Sequence, residues 1–309
     1  MPELHATPAR AALALCLCLT ASAAQGAPLD YCNGPAEPDA GMQDRLIRVA
    51  AIVKAELDRS GQSLALVSRS GLALQRFNQR YSHAGVSLKA SGNTLWSVRQ
   101  LYYACDVQRP RLFDQGLSGF LMGANDPDEG YVSIVLLPAH AAVPLERVAL
   151  DDRQALQLLG DTYSANAYAF GLRYQNCNQW LAELLATAWG DLAPGDDARA
   201  RAQRWLQDEG YAPTVFDVGW RPLMWLASQT RWLHSDDHPP HDIDAGLFRV
   251  SMPASIEAFV QTRQPGALRI ELCYTPQQVV IRRGWERIAE ECQPADGDEV
   301  VNLTDGPAQ

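Results

Sequence analysis

Leu46, Val49, Ile52, Val53 and Leu57 recur at the three- and four-residue spacing of a helix, which predicts a helix over 43–59 stopped by Gly61. The period then shortens. Residues 63–68 (SLALVS) read as a short buried strand, and 81–88 as a second strand after a polar connection. A Gly92-Asn93 turn leads into 95–104, whose alternation predicts the other arm of a hairpin. Another strand follows at 131–137, closed by Pro138, then a helix at 152–160. From Cys177 the apolar residues Trp180, Leu181, Leu184, Leu185 and Ala188 return to helical spacing until Gly190. Residues 197–209 form a further amphipathic helix, 210–240 have no clear period, and 247–252, 267–273 and 279–281 read as C-terminal strands. No internal repeat is visible.

The N-terminus predicts export. Arg10, the apolar run 11–21 and the small residues up to Gly26 form a secretory signal, too short to span a bilayer. The organisation expected is therefore a signal peptide at 1–26, an α+β domain at 27–210, a C-terminal extension packed on it at 211–295 and a polar, disordered tail at 296–309. The location expected is periplasmic or secreted, with no transmembrane segment in the mature chain. Removing residues 1–26 takes away Glu3 and Arg10, so the formal charge stays at −10. An acidic chain without a basic run excludes nucleic acid and anionic membrane surfaces as natural partners. At 47% hydrophobic residues it has enough apolar material for a real core.

Export makes the cysteine count informative. Seven cysteines less Cys16 and Cys18 in the signal leave Cys32, Cys105, Cys177, Cys273 and Cys292, an odd number that flags a free thiol. Chain order suggests the pairs Cys32–Cys105 and Cys273–Cys292, leaving Cys177.

Two strings carry candidate chemistry. On the strand 81–88, Tyr81, His83, Gly85 and Ser87 share one face, and Ser82, Ala84, Val86 and Leu88 the other. Gly85 leaves room beside the imidazole. In Gln175-Asn176-Cys177-Asn178-Gln179 a turn places Cys177 at a helix start, where the positive end of the helix dipole and a nearby imidazolium favour thiolate. The pair is read as nucleophile and base, with the Cys177 amide and a neighbouring side-chain amide as oxyanion donors. Gln100, the polar member of the 96–102 face, is the candidate orienter of His83. Each residue has a plainer reading: a structural histidine, a small buried hydrophobe, helix-capping amides and a half-solvated glutamine. His234, His238 and His241 flank Asp236 and Asp237, but their spacing fits no helix-borne zinc pattern and a solvated loop is expected. The tryptophans, Trp220, Trp225 and Trp232 among them, read as cover for a core or groove. No metal or cofactor is expected.

The order YSHAGV, then WSVRQL, then YQNCNQW resembles the uncharacterised bacterial family called domain of unknown function 2145 over most of the mature chain. More broadly, a His-Xaa-Gly strand followed by an Asn-Cys helix start resembles the permuted papain-like group of NlpC/P60 amidases and lecithin–retinol-acyltransferase-type enzymes. The resemblance implies an α+β, permuted papain-like antiparallel sheet packed on the cysteine helix, with Cys177 as nucleophile, His83 as base and Gln100 at a position often His or an acid in relatives. The function expected is an exported cysteine-dependent hydrolase of amidase or peptidase type, acting through an acyl-enzyme on cell-wall peptides, proteins or lipid acyl groups. The alternatives are a non-catalytic periplasmic binding or structural module on the same fold and a thiol acyltransferase.

Overall fold

The structure, a computed structural model, describes residues 39–124, 126, 128–219 and 232–303. The expected signal peptide, Cys32, Trp220 and Trp225 lie outside the described residues. The chain opens with helix α1 (Ala40–Arg59), which Asp39 caps by accepting from the Met42 amide at 2.8 Å. Strands β1 (Leu64–Arg69), β2 (His83–Leu88), β3 (Ser97–Ala104) and β4 (Arg109–Gln115) follow as an antiparallel meander. A short helix α2 (Leu117–Leu121) leads to β5 (Gly130–Leu136), then α3 (Ala139–Leu150) and α4 (Asp152–Gln157). Beyond them lie α5 (Cys177–Trp189) and α6 (Ala198–Asp208), then β6 (Thr214–Asp217), α7 (Pro240–Ala245) and β7 (Leu247–Val250). Helix α8 (Pro253–Arg263) and strands β8 (Leu268–Tyr274), β9 (Gln278–Arg283) and β10 (Glu299–Asn302) complete the chain.

The protein is a mixed α/β fold around one eight-stranded antiparallel sheet, in the order β10-β9-β8-β5-β1-β2-β3-β4. Of the expected C-terminal strands, β8 and β9 belong to this sheet, β8 pairing along the whole of β5, while β7 pairs with β6 in a separate two-stranded sheet. β10 lies within the stretch expected to be a disordered tail: Val300 and Val301 pair with Val280 and Val279 at the sheet edge. Its short edge pairing leaves alternate residues exposed, which makes the segment read as polar tail.

Both faces of the sheet are covered, so most strands are buried on both sides and alternation sorts their residues between two cores. On the first face Leu64, Leu66, Ala84, Val86, Leu88, Leu101 and Tyr103 pack with Leu145, Trp180, Leu181 and Leu184 of α3 and α5. On the second, Ala65, Val67, Val98, Val132, Ile134 and Leu272 pack with Val49, Val53 and Leu57 of α1 and Phe120 of α2. Cys273 and Cys292 form a disulfide, as expected, and Cys105 is also disulfide-bonded. No helix among the described residues is long and apolar enough to cross a membrane.

Candidate active site

Helix α5 begins at Cys177 because Asn176 caps it. The Asn176 side chain accepts from the Gln179 amide at 2.7 Å and donates to the carbonyls of Ala165 and Ser251. Gln175 is equally committed: it accepts from the Gly160 amide at 2.7 Å and donates to Leu158 O and to Glu183. Asn178 donates to Ser82 O at 3.1 Å and approaches the Met252 sulfur at 3.9 Å. The three side-chain amides read as possible oxyanion donors thus hold the fold together here, leaving backbone amides as the available donors.

Cys177 is a free, buried cysteine. Burial pushes its thiol up to about 12; the cation of Arg69, the amides of Asn178 and Cys177 and the Tyr163 hydroxyl pull the other way without overcoming it. His83 is buried too, and burial with the Arg69 charge depresses it to about 3 against the opposing bond to Gln100. Cysteine and histidine are therefore both neutral at pH 7. Arg69, the cross-strand neighbour of His83, acts on both: it favours thiolate and disfavours imidazolium.

The structure brings His83 and Gln100 together, imidazole Nε2 against the amide Oε1. The Gln100 amide nitrogen donates in turn to Gln115 Oε1, which fixes the amide orientation. A carbonyl oxygen only accepts, so Nε2 carries the proton and Nδ1 is left with the basic lone pair. The ring also packs edge-on to Tyr102 at 5.4 Å and lies 5.9 Å from Phe120.

Cys177 and His83 stand differently towards the sheet. Cys177 belongs to the core of the first face, with Ala84 and Val86. His83 alternates with Ala84, and its imidazole lies on the second face, against Phe120. Among the described residues no hydrogen bond joins the sulfur to the imidazole. What links the two is the backbone at the start of β2, held to α5 through Asn178. The space expected beside Gly85 is filled from β3: a Cβ there would lie 2.6 Å from Val98 Cγ1 and 2.8 Å from Arg99 O.

The histidine-rich segment is not the solvated loop expected. His238 is buried, bonds Asn166 O through Nε2 at 2.7 Å and packs on Phe248 at 4.7 Å, while His234 stacks on Tyr174 at 4.4 Å. Only His241 of the three is widely exposed. The aromatic side chains available nearby pull the imidazoles inward, which the hydrophilic composition of the segment conceals. Among the described residues the group with metal-ligand geometry is Glu129, Cys273 and Cys292, and its two sulfurs are already joined to each other. Arg69 and Tyr163, which act on the thiol, were not singled out by sequence. A lone arginine at a strand end carries no periodic signal.

The family model described as "Uncharacterized protein conserved in bacteria (DUF2145)" matches residues 56–260. The chain belongs to this family. The match contains His83, Gln100 and Cys177 and stops before β8. Comparisons with curated proteins and with solved structures gave no match.

Proposed function

We propose that the protein is an exported cysteine-dependent hydrolase of amidase or peptidase type, on a permuted papain-like frame resembling the NlpC/P60 group. The observation that carries the reading is the composition of the α5–β2 junction. A free cysteine opens a helix with two backbone amides and a phenol favouring its thiolate, and the next residue clasps the strand of a histidine oriented by an amide. A side-chain amide in the third position is the arrangement of Cys-His-Asn papain-like proteases. Reaction requires the start of β2 to turn the imidazole to the Cys177 side of the sheet; neutral His83 then takes the thiol proton at Nδ1 as sulfur attacks the acyl carbon. The leaving group departs with that proton, and water releases the acid from the thioester. Arg69 and the backbone amides offset the negative charge that develops.

A second reading, a non-catalytic binding module on the same frame, is favoured by one observation: the imidazole and the sulfur occupy different faces of the sheet. Incubation with p-nitrophenyl acetate separates the two. The hydrolase acquires an acetyl thioester on the Cys177 peptide, absent in Cys177→Ala and slower in His83→Ala by ~100-fold or more, a general-base contribution. Wild-type protein that acetylates no faster than Cys177→Ala sinks the hydrolase reading.

A further inference from the structure

Arg69 is 4% exposed at the end of β1. One guanidinium nitrogen, Nη1, donates to Ser70 O at 3.1 Å, and the group lies over Phe120 with Cζ 5.3 Å from the ring centroid. Its Nε is buried without a partner, and Arg69 forms no ion pair among the described residues. The other interior arginines are different. Arg80 pairs with Glu271 and Glu290, Arg199 with Glu183, and Arg269 with Glu257 and Glu271. A buried charge without a counter-charge is costly, and a ligand that supplies the counter-charge offsets that cost.

Two glycines make room for the group. A Cβ on Gly123 would collide with Nη2, and one on Gly71 would lie 2.9 Å from Nη1. Ser70 and Gly71 also line a cleft of about 490 Å³, so the guanidinium sits directly behind the cleft wall. Asp126, Glu129 and Glu290 line the same cleft with Arg287 and with Arg80, which is already paired with Glu271 and Glu290, while Arg69 stands behind the lining residues. This mixed lining suits a zwitterionic or neutral body with one terminal carboxylate better than a simple anion.

We propose that Arg69 is the anion-binding group of a substrate site, receiving the C-terminal carboxylate of a peptide that enters along the Ser70–Gly71 wall. The proposal names the substrate class for the hydrolase reading, on which it rests for its place beside His83, but binding itself does not need Cys177. The guanidinium fork offers its unpartnered nitrogens for charge-assisted hydrogen bonds to the carboxylate, and such bonds discriminate sharply against an uncharged amide.

The test uses the full mature chain carrying Cys177→Ser, titrated calorimetrically with N-acetyl-alanyl-alanine and with the same dipeptide amidated at its C-terminus. The acid is expected to bind ~10-fold or more tightly than the amide, with the preference falling in Arg69→Lys and lost in Arg69→Met. The ligand-free Arg69→Met protein is expected to melt at or above wild type, because an uncompensated buried cation has been removed. Equal binding of acid and amide, binding of neither, or a preference that survives Arg69→Met overturns the proposal. So does an Arg69→Met protein that melts lower or fails to fold, which would make the guanidinium a structural group. If the acid binds as expected while wild type forms no acyl-enzyme, the hydrolase reading fails and the carboxylate site stands.

Discussion

The side-chain amide of Asn178 donates to the carbonyl of Ser82 at 3.1 Å, so the residue after Cys177 holds the residue before His83. This bond is part-buried, and removing the donor leaves the carbonyl without its protein partner, at a cost of about 1 kcal/mol. Asn178→Ala is therefore expected to lower unfolding free energy by that amount in urea melts. Because the bond sets the start of α5 against β2, acyl-enzyme formation should fall by more than the stability loss explains. A variant that loses stability but keeps full acylation would make the bond purely structural.

The depressed His83 fixes a sign for acid stability. The folded imidazole titrates near 3 and the unfolded one near 6.5, so between these values the unfolded chain binds the extra proton. The contribution is fully present above pH 6.5 and is lost as pH falls towards 3. Its limiting slope is about 1.4 kcal/mol per pH unit. In His83→Gln this part of the slope should vanish, as read by urea unfolding across pH 4–7. A wild-type curve no steeper than the variant's would mean that the imidazole is not buried neutral.

Much of the frame was legible because it is periodic. The helices α1, α5 and α6, the hairpin β2–β3 and the strands β1, β5 and β8 all announce themselves by spacing. Missed elements break the signals that sequence offers. β4 is an edge strand whose RPR start reads as loop, α3 contains Pro144, and the faces of α8 are weakly segregated. At the site, the His83–Gln100 bond followed from which residues share a strand face. The placement of α5 had a signal too: Ala84, Val86 and Leu88 form the apolar face of β2, the natural seat for a helix, and His83 is on the other. The isolated charge of Arg69 had none, since an ion pair's absence is a property of three-dimensional neighbours.

Gly85 tests how tightly β2 and β3 are joined beneath the imidazole. A methyl group there would meet Val98 Cγ1 at 2.6 Å and the Arg99 carbonyl at 2.8 Å. The carbonyl belongs to the paired backbone, so the clash cannot be relieved by a rotamer change alone. Gly85→Ala is expected to destabilise by about 1–3 kcal/mol, visible as a lower melting temperature, and to disturb the Gln100 contact to His83. Unchanged melting would show that the strands separate more freely than this register implies.

The Cys177 thiol gives the most direct reading of the resting site. Burial raises it from 9.0 to about 12, so the folded state holds its proton where an unfolded chain begins to release it. Stability from this group is fully present below pH 9 and is lost as pH rises towards 12. At pH 8 the folded thiolate fraction is lower than the unfolded one by roughly a thousandfold, each pKa unit being a factor of ten. Iodoacetamide should therefore label native Cys177 at least that much more slowly than the urea-unfolded thiol, with a rate that climbs above pH 9. His83→Ala should leave this slow native rate unchanged, because neutral His83 provides no counter-charge. Fast labelling at pH 6 that slows in His83→Ala would instead reveal a preformed thiolate–imidazolium pair and overturn the neutral resting site, with both groups then meeting at the start of β2.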